Sequence, residues 1–378
     1  MKKINLCSLG DPTHPGTWSG TPYRIYSGLI QQNRMGMAMN ASVYLHPFEK
    51  KITRGISKLF YAHSVDLVRG SFQRYLLATK IALKTSRTES KCTLHTGTLT
   101  LPFLFPARNQ SHYLFCDSTW NLWSNHSTHM EGYSASLLSD AERLERKAYH
   151  QMAHIFPISE YVKNNLISHY NVPSEKITVV GTGLGIIQPF YGEKNYRNGK
   201  ILFAAKGRFE DKGGPLVLEA FQKALKINPK LELIVVGQNE YTDKILGPNI
   251  RSYGFLPIDT LQNLFNESSV FLMPALNEPW GLVYLEALAC KMPIIGLNRN
   301  SFPEISANGK FGFGLDSSDP EALSRVLLQA FSDPAQLEMM GKNGQAHCLQ
   351  TYSWENTVSI IIQTILQNEK SNRHHLHL

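Results

Sequence analysis

No stretch of the 378 residues stays apolar long enough to span a bilayer, which takes about 20 consecutive apolar residues. Cysteine is scarce and scattered: Cys7, Cys92, Cys116, Cys290 and Cys348 form no C-x-x-C pair. That pattern argues against a disulfide framework or a zinc site and favours reduced thiols. The G-x-G-x-x-G fingerprint is missing after the first apolar stretch, and the GTGLG at Gly181 opens no helical pattern. A nicotinamide-dependent dehydrogenase is thereby disfavoured. Basic tracts interleaved with aromatics are also missing, so nucleic acid is not an expected partner. The opening MKKINLCSLGDPTHPG has too short an apolar core for a signal peptide and reads as a first buried strand. A cytoplasmic chain is therefore expected, peripheral at the inner face of the membrane if its basic half meets lipid.

Charge is present but unevenly placed. The net charge is +8, with 42% hydrophobic and 18% charged residues, the balance of a globular protein. Residues 1–180 hold 20 Lys and Arg against 11 Asp and Glu, whereas residues 181–378 hold 18 against 19. Residues 47–91 alone supply ten bases against three acids. Such a segment is either a solvated helix face or a surface for an anionic partner, such as phospholipid or a phosphorylated acceptor.

Short apolar runs alternate with helical periodicity, which predicts an α/β protein with parallel sheets. KINLCSLG, HYLFCDST and AHIFPISE read as strands of a first domain, and ILFAAKGRF, LELIVVG and VFLMPAL as strands of a second. Residues 186–200, rich in Pro, Gly and Asn, lose the rhythm and read as the linker. At this length two domains are expected: 1–185, joined by a C-terminal helix at about 353–370, and 186–352.

Two strand–loop–helix junctions of the second half carry the chemistry. In AAKGRFEDKGGPLVLEAF, Gly207 frees the backbone, Arg208 and Lys212 lie four apart, and Gly213-Gly214-Pro215 opens a helix. A forked Arg and a compact Lys at a helix N-terminus suit a diphosphate. In NEPWGLVYLEALACKMPIIG, Glu278 precedes a Pro-Trp-Gly turn, while Glu286 stands inside an apolar run. At helical spacing Glu286 shares its face with Leu282, Val283, Ala289 and Cys290. A buried carboxylate needs a partner or its proton. Two partners suit it: a vicinal diol donating to both oxygens, or the protein's own backbone or a lysine.

These two junctions and their spacing resemble the family 4 retaining glycosyltransferases of the GT-B fold. Gly207-Arg208…Lys212-Gly213 matches that family's loop, and Glu278 to Ala289 matches its Glu-x7-Glu segment. The resemblance covers roughly residues 150–365. It implies two Rossmann-like domains whose parallel sheets face a central cleft, and transfer of a hexose with retention from a nucleotide-diphosphate sugar to an acceptor hydroxyl. The acceptor would be a glycan, a small molecule or an anionic or lipid-linked species.

By the same resemblance, Arg208 and Lys212 hold the diphosphate, capped by the backbone at Gly281 and Leu282. Glu286 takes the ribose, and Glu278 the donor sugar. Gly254 and Phe255 lie near the base. In the first half the match is looser. Gly20 is the candidate for the glycine loop, and Asp117 the candidate group facing the transferred sugar, ahead of His112, His126 and His129. Asp117 as a simple helix or turn cap is the plainer alternative. No Asp-x-Asp pair occurs, and neither a metal nor another cofactor is expected. The competing functions are a nucleotide-sugar or oligosaccharide binder without turnover, and another GT-B enzyme such as a nucleotide-sugar epimerase.

Overall fold

The computed structural model describes residues 2–61, 66–101, 110–126, 130–237 and 247–375, without the side chains of His126, Glu131 and 371–375. The chain divides into two compact units. One is Met1–Thr182 with Trp354–Leu378, and the other is Gly183–Ser353.

In the first unit the order is β1 (Ile4–Ser8), α1 (Thr21–Gln31), β2 (Met35–Asn40), α2 (Pro47–Tyr61), α3 (Ser71–Ser86), β3 (Cys92–Thr96), β4 (Ser111–Cys116), α4 (Trp120–His126), α5 (Ala135–Gln151), β5 (His154–Pro157) and α6 (Glu160–Ser168). The described strands form one sheet, ordered β2-β1-β3-β4-β5, with every pairing parallel. Helices cover both faces of such a sheet, so its inner strands read as continuous buried runs, and every residue of β1 and β3 is buried. Some polar side chains in and beside those strands find partners, whereas the buried Thr93 and Thr96 hydroxyls of β3 find none among the described residues. Asn5 donates to Thr88 Oγ1 at 2.9 Å and accepts from the Met37 amide at 2.9 Å. His95 and His112 share a 3.0 Å ring-nitrogen contact.

The second unit runs β6 (Lys200–Ala204), α7 (Gly214–Ile227), β7 (Glu232–Val236), β8 (Ile250–Tyr253), α8 (Ile258–Glu267), β9 (Val270–Leu272), α9 (Leu282–Ala289), β10 (Ile294–Leu297), α10 (Phe302–Ile305), β11 (Gly312–Leu315), α11 (Pro320–Ser332) and α12 (Pro334–Thr351). Its described strands, again all parallel, are ordered β11-β10-β9-β6-β7-β8. This is the doubly wound order in which the winding reverses between the first and fourth strands, here β6 and β9. Ligands of such sheets bind outside the carboxyl ends of the strands at that reversal.

Residues 186–200, read above as a linker, are packed parts of the second unit. Lys194 Nζ donates to the carbonyls of Phe265, Asn266 and Ser268 at 2.9, 2.8 and 2.7 Å, capping the end of α8. The last helix, α13 (Trp354–His375), belongs to the first unit. Thr357 Oγ1 donates to the Val180 carbonyl at 3.1 Å, and Glu369 takes both Lys2 Nζ at 3.1 Å and the Tyr113 hydroxyl at 3.0 Å.

Candidate functional site

In the second unit the loops that leave β6 and β9 meet at the reversal of the sheet. The Leu276 amide donates to the Asp211 carbonyl at 3.0 Å, and the Lys212 ammonium forms a largely buried ion pair with the Glu278 carboxylate. Burial, with Arg208 and then Lys206 nearby, pushes the Lys212 ammonium down to about 7, while Asp211 and the Glu278 carboxylate in contact favour the charged form. Arg208 is half exposed, its Nε donating to Asp211 Oδ2 at 3.0 Å.

Glycine is required where these loops turn into helices. Gly213 precedes α7 at φ 83°, and a Cβ there would lie 2.4 Å from the Pro274 carbonyl oxygen of the opposite loop. Gly281 precedes α9 at φ 81°, where a Cβ would lie 2.6 Å from the Tyr284 ring. Both helices thus begin immediately after the loops that carry Lys212 and Glu278. Their first-turn amides lack intrahelical acceptors and favour an anion.

Glu286 lies one turn further into α9 and is buried. Its Oε1 accepts from the amides of Ile186 at 2.6 Å and Ile187 at 3.1 Å. Burial pushes its pKa up, and the two amides and Lys206 pull it back. Of the two kinds of partner open to this carboxylate, the protein's own backbone therefore holds one oxygen, Oε1. A Cβ on Gly185 would lie 2.3 Å from that same oxygen, so the loop follows the carboxylate closely.

Gly254 and Phe255 follow β8, the edge strand of the sheet, two strands from β6. The Gly237 amide donates to the carbonyls of Tyr253 and Gly254 at 3.1 and 3.3 Å, and Phe255 is 64% exposed. They share the carboxyl edge of the sheet with the Lys212–Glu278 pair. Lys206, which acts electrostatically on both Lys212 and Glu286, escaped the sequence reading. Its position one residue before Gly207 was the available signal.

In the first unit Asp117 follows β4 directly. Burial pushes its carboxyl up to about 6, opposed by amide hydrogen bonds from Asp117 and Ser118, by a side-chain bond from Trp18, and by the charge of Arg69. Trp18 and Ser19 have φ of 44° and 53°, and Gly20, which precedes α1, has φ 85°. Consecutive non-glycine residues in that region are strained, and such strain persists only where the surroundings enforce it. Trp18 also meets Phe115 edge-on at 6.5 Å. The Arg69 guanidinium lies 4.6 Å from the Trp120 ring and 4.5 Å from that of Trp123.

Buried Glu145 anchors the chain after Asp117. It accepts from the Trp120 amide at 3.0 Å and from the hydroxyls of Tyr149 and Thr98. Trp18 and Glu145 stand far from Asp117 in the sequence, and Arg69 figures there only among the ten bases of residues 47–91, so their link to Asp117 carries no sequence signal. His112 is buried inside β4, its ring nitrogen against that of His95. His126 ends α4, and His129 lies outside the described residues.

These features define a doubly wound α/β protein whose second sheet carries two helix N-termini and a lysine–glutamate pair at its reversal point. The family model described as "Glycosyl transferases group 1" matches residues 190–347, and that described as "Glycosyltransferase Family 4" matches residues 39–185. The chain belongs to the family 4 type of GT-B glycosyltransferases. It is 29% identical over 171 residues to the GDP-mannose-dependent monoacylated alpha-(1-6)-phosphatidylinositol monomannoside mannosyltransferase of Corynebacterium glutamicum, covering 42% of this chain and 44% of that one. The chain spans about half the length of the curated relatives it matches.

Among solved structures, sucrose-phosphate synthase from Thermosynechococcus elongatus superposes with a TM-score of 0.73 at 15% identity, over 98% of this chain and 100% of that one. Anabaena HepE in complex with UDP gives 0.68 at 14%, over 97% and 100%. Both likenesses concern the fold.

Proposed function

We propose that this protein transfers a hexose, with retention and without an obligatory metal, from a nucleotide-diphosphate sugar to an acceptor hydroxyl. The observation that carries the reading is the Lys212–Glu278 pair between two helix N-termini at the reversal of the second sheet. Departure of a diphosphate requires preorganised positive charge, and Lys212, Arg208 and the first-turn amides after Gly213 and Gly281 supply it. An arriving diphosphate competes with Glu278 for Lys212. The displaced carboxylate is then available to a hydroxyl of the donor sugar. Glu286, with Oε1 taken by amides, offers a ribose hydroxyl one oxygen, Oε2, rather than two.

Gly254 and Phe255 would flank the base, and Leu282 with Gly281 the phosphates. In the first unit Gly20 would approach the donor, and Asp117 would serve the reacting sugar. The excess positive charge of that unit suits an acceptor that is anionic or carried on lipid.

The Corynebacterium relative is named as GDP-mannose-dependent, and the Anabaena structure holds UDP, so sugars of both nucleotides head the donors to test. Purified protein is incubated with UDP-, GDP- and ADP-sugars, with and without a chelator, and nucleotide release is followed. Release from one nucleotide class, insensitive to the chelator and lost in Lys212→Ala, supports the reading. Saturable binding without release would leave a nucleotide-sugar binder, and neither binding nor release would refute the site.

A further inference from the structure

A helix packed on a globular domain ordinarily turns its apolar side inward. Helix α2 does the reverse. Its buried residues are Thr53, Ser57 and Tyr61, two of them small and polar. Phe48, Ile52, Ile56 and Leu59, at 66%, 45%, 37% and 83% exposure, line the outer side. Spacings of three and four place these four residues in one stripe, roughly opposite the buried face. Phe60, 62% exposed, widens the apolar surface and stacks at 5.0 Å on Phe72 of α3.

Lys51, Arg54 and Lys58 are exposed along one shoulder of the stripe. The helix carries a single acid, Glu49, which is engaged by Lys80 and by the His46 amide at 2.7 Å. The outer face therefore joins unpartnered hydrocarbon to uncompensated positive charge. Water suits the second and not the first, while the boundary of an anionic bilayer suits both: hydrocarbon enters the acyl edge and the cations stay among the headgroups. At 15 residues α2 is about 22 Å long, and no helix among the described residues is long and apolar enough to cross a membrane.

We infer that α2 docks the protein on an anionic lipid surface, lying in the plane of the headgroups with Phe48, Ile52, Ile56 and Leu59 inserted. The inference stands apart from the transfer reading, because it uses none of the residues placed at the donor site.

The test is co-sedimentation of the full chain with phosphatidylcholine vesicles that contain or lack phosphatidylglycerol. Binding is expected only with phosphatidylglycerol and should weaken as salt rises. Ile52→Ser/Leu59→Ser, which leaves the charge unchanged, should lower binding at least about tenfold. Lys51→Ala/Arg54→Ala/Lys58→Ala should lower it on the order of a hundredfold. All five positions are exposed, so thermal melts and nucleotide release from a soluble donor should match the wild type.

Absence of binding, equal binding to uncharged vesicles, or full binding by the Ser variant would overturn the inference. So would a dimer in light scattering that the Ser variant dissolves, because the stripe would then be covered by a second copy of the chain. Each of these failures leaves nucleotide release untouched, and loss of nucleotide release with vesicle binding intact would bear only on the transfer reading.

Discussion

Lys212 and Glu278 pair across the point where the second sheet reverses its winding, joining the loop that leaves β6 to the loop that leaves β9. Neither charge is well solvated, so each depends on the other for as long as no ligand is bound. Removing one partner should be worse for folding than removing both. Lys212→Met and Glu278→Gln should each lower the melting temperature, and the double variant should recover part of the loss. Turnover should fall at least about a hundredfold in either single variant, read as nucleotide release. Additive melting shifts would show that the pair is not coupled.

The Asp117 carboxyl titrates at about 6 in the fold against an ordinary 3.8. A raised pKa means that the folded state holds the proton more tightly, so stability falls as pH rises from about 4 to about 6 and is level above. Asp117→Asn lacks that loss. Its stability relative to wild type should grow through the same interval, to at most about 3 kcal/mol above pH 6, measured by urea denaturation across pH. If transfer uses the ionised form, wild-type kcat/KM should fall as pH drops through about 6.

Trp18 contributes a side-chain hydrogen bond that favours the ionised Asp117. Trp18→Phe keeps an aromatic ring against Phe115 and removes the indole N–H. The acid limb of the activity profile should therefore move to higher pH, while activity at alkaline pH changes little. An unmoved limb would separate Trp18 from the titration.

Glu286→Ala strips the Ile186 and Ile187 amides of their acceptor. Leaving such donors unsatisfied costs about 1–3 kcal/mol. Hydrogen exchange at those two amides should accelerate more than elsewhere in the second unit. Glu286→Gln, which retains a carbonyl oxygen, should protect them nearly as well as the native residue.

Gly213→Ala should be destabilising by about 1–3 kcal/mol on backbone strain alone, with the 2.4 Å approach to the Pro274 carbonyl adding to it. Gly254→Ala is the control, since nothing lies within 4 Å of a Cβ there. Thermal melts of the two variants should differ clearly, and equal melts would dismiss the steric argument.

Strands β6, β7, β9 and β10 of the second unit are readable from their residues because they are short, mostly buried apolar runs. Strands β8, IRSY, and β11, GFGL, are not such runs. Some elements without that signature stay hidden in the sequence. Strand β2, MGMAMN, is a half-exposed edge with no β-branched residue. Strand β3, CTLHT, is fully buried yet largely polar: His95 pairs with His112, while the Thr93 and Thr96 hydroxyls find no partner among the described residues. Helix α12 contains Gly341 and Gly344, which weaken a helical pattern. They are there because a Cβ would lie 2.3 Å from the Lys291 carbonyl oxygen and 2.8 Å from Leu288.

The candidate site divides in the same way. Arg208, Lys212, Glu278 and Glu286 stand in two local motifs and could be named in advance. Their mutual partners could not, because periodicity carries no information about which loop faces which. The pairing of Glu278 with Lys212 and of Glu286 with backbone amides emerges only from the folded chain.

Helix α13 completes the first unit from the far end of the chain: Glu369 takes Lys2 and Tyr113, and Thr357 takes the Val180 carbonyl. During synthesis on the ribosome, the segment before Gly183 must therefore wait for the later-made α13, while the intervening 171 residues of Gly183–Ser353 are free to finish first. A nascent chain stalled before Trp354 would carry one finished body and one unfinished, and it is the unfinished one that chaperones would have to shield.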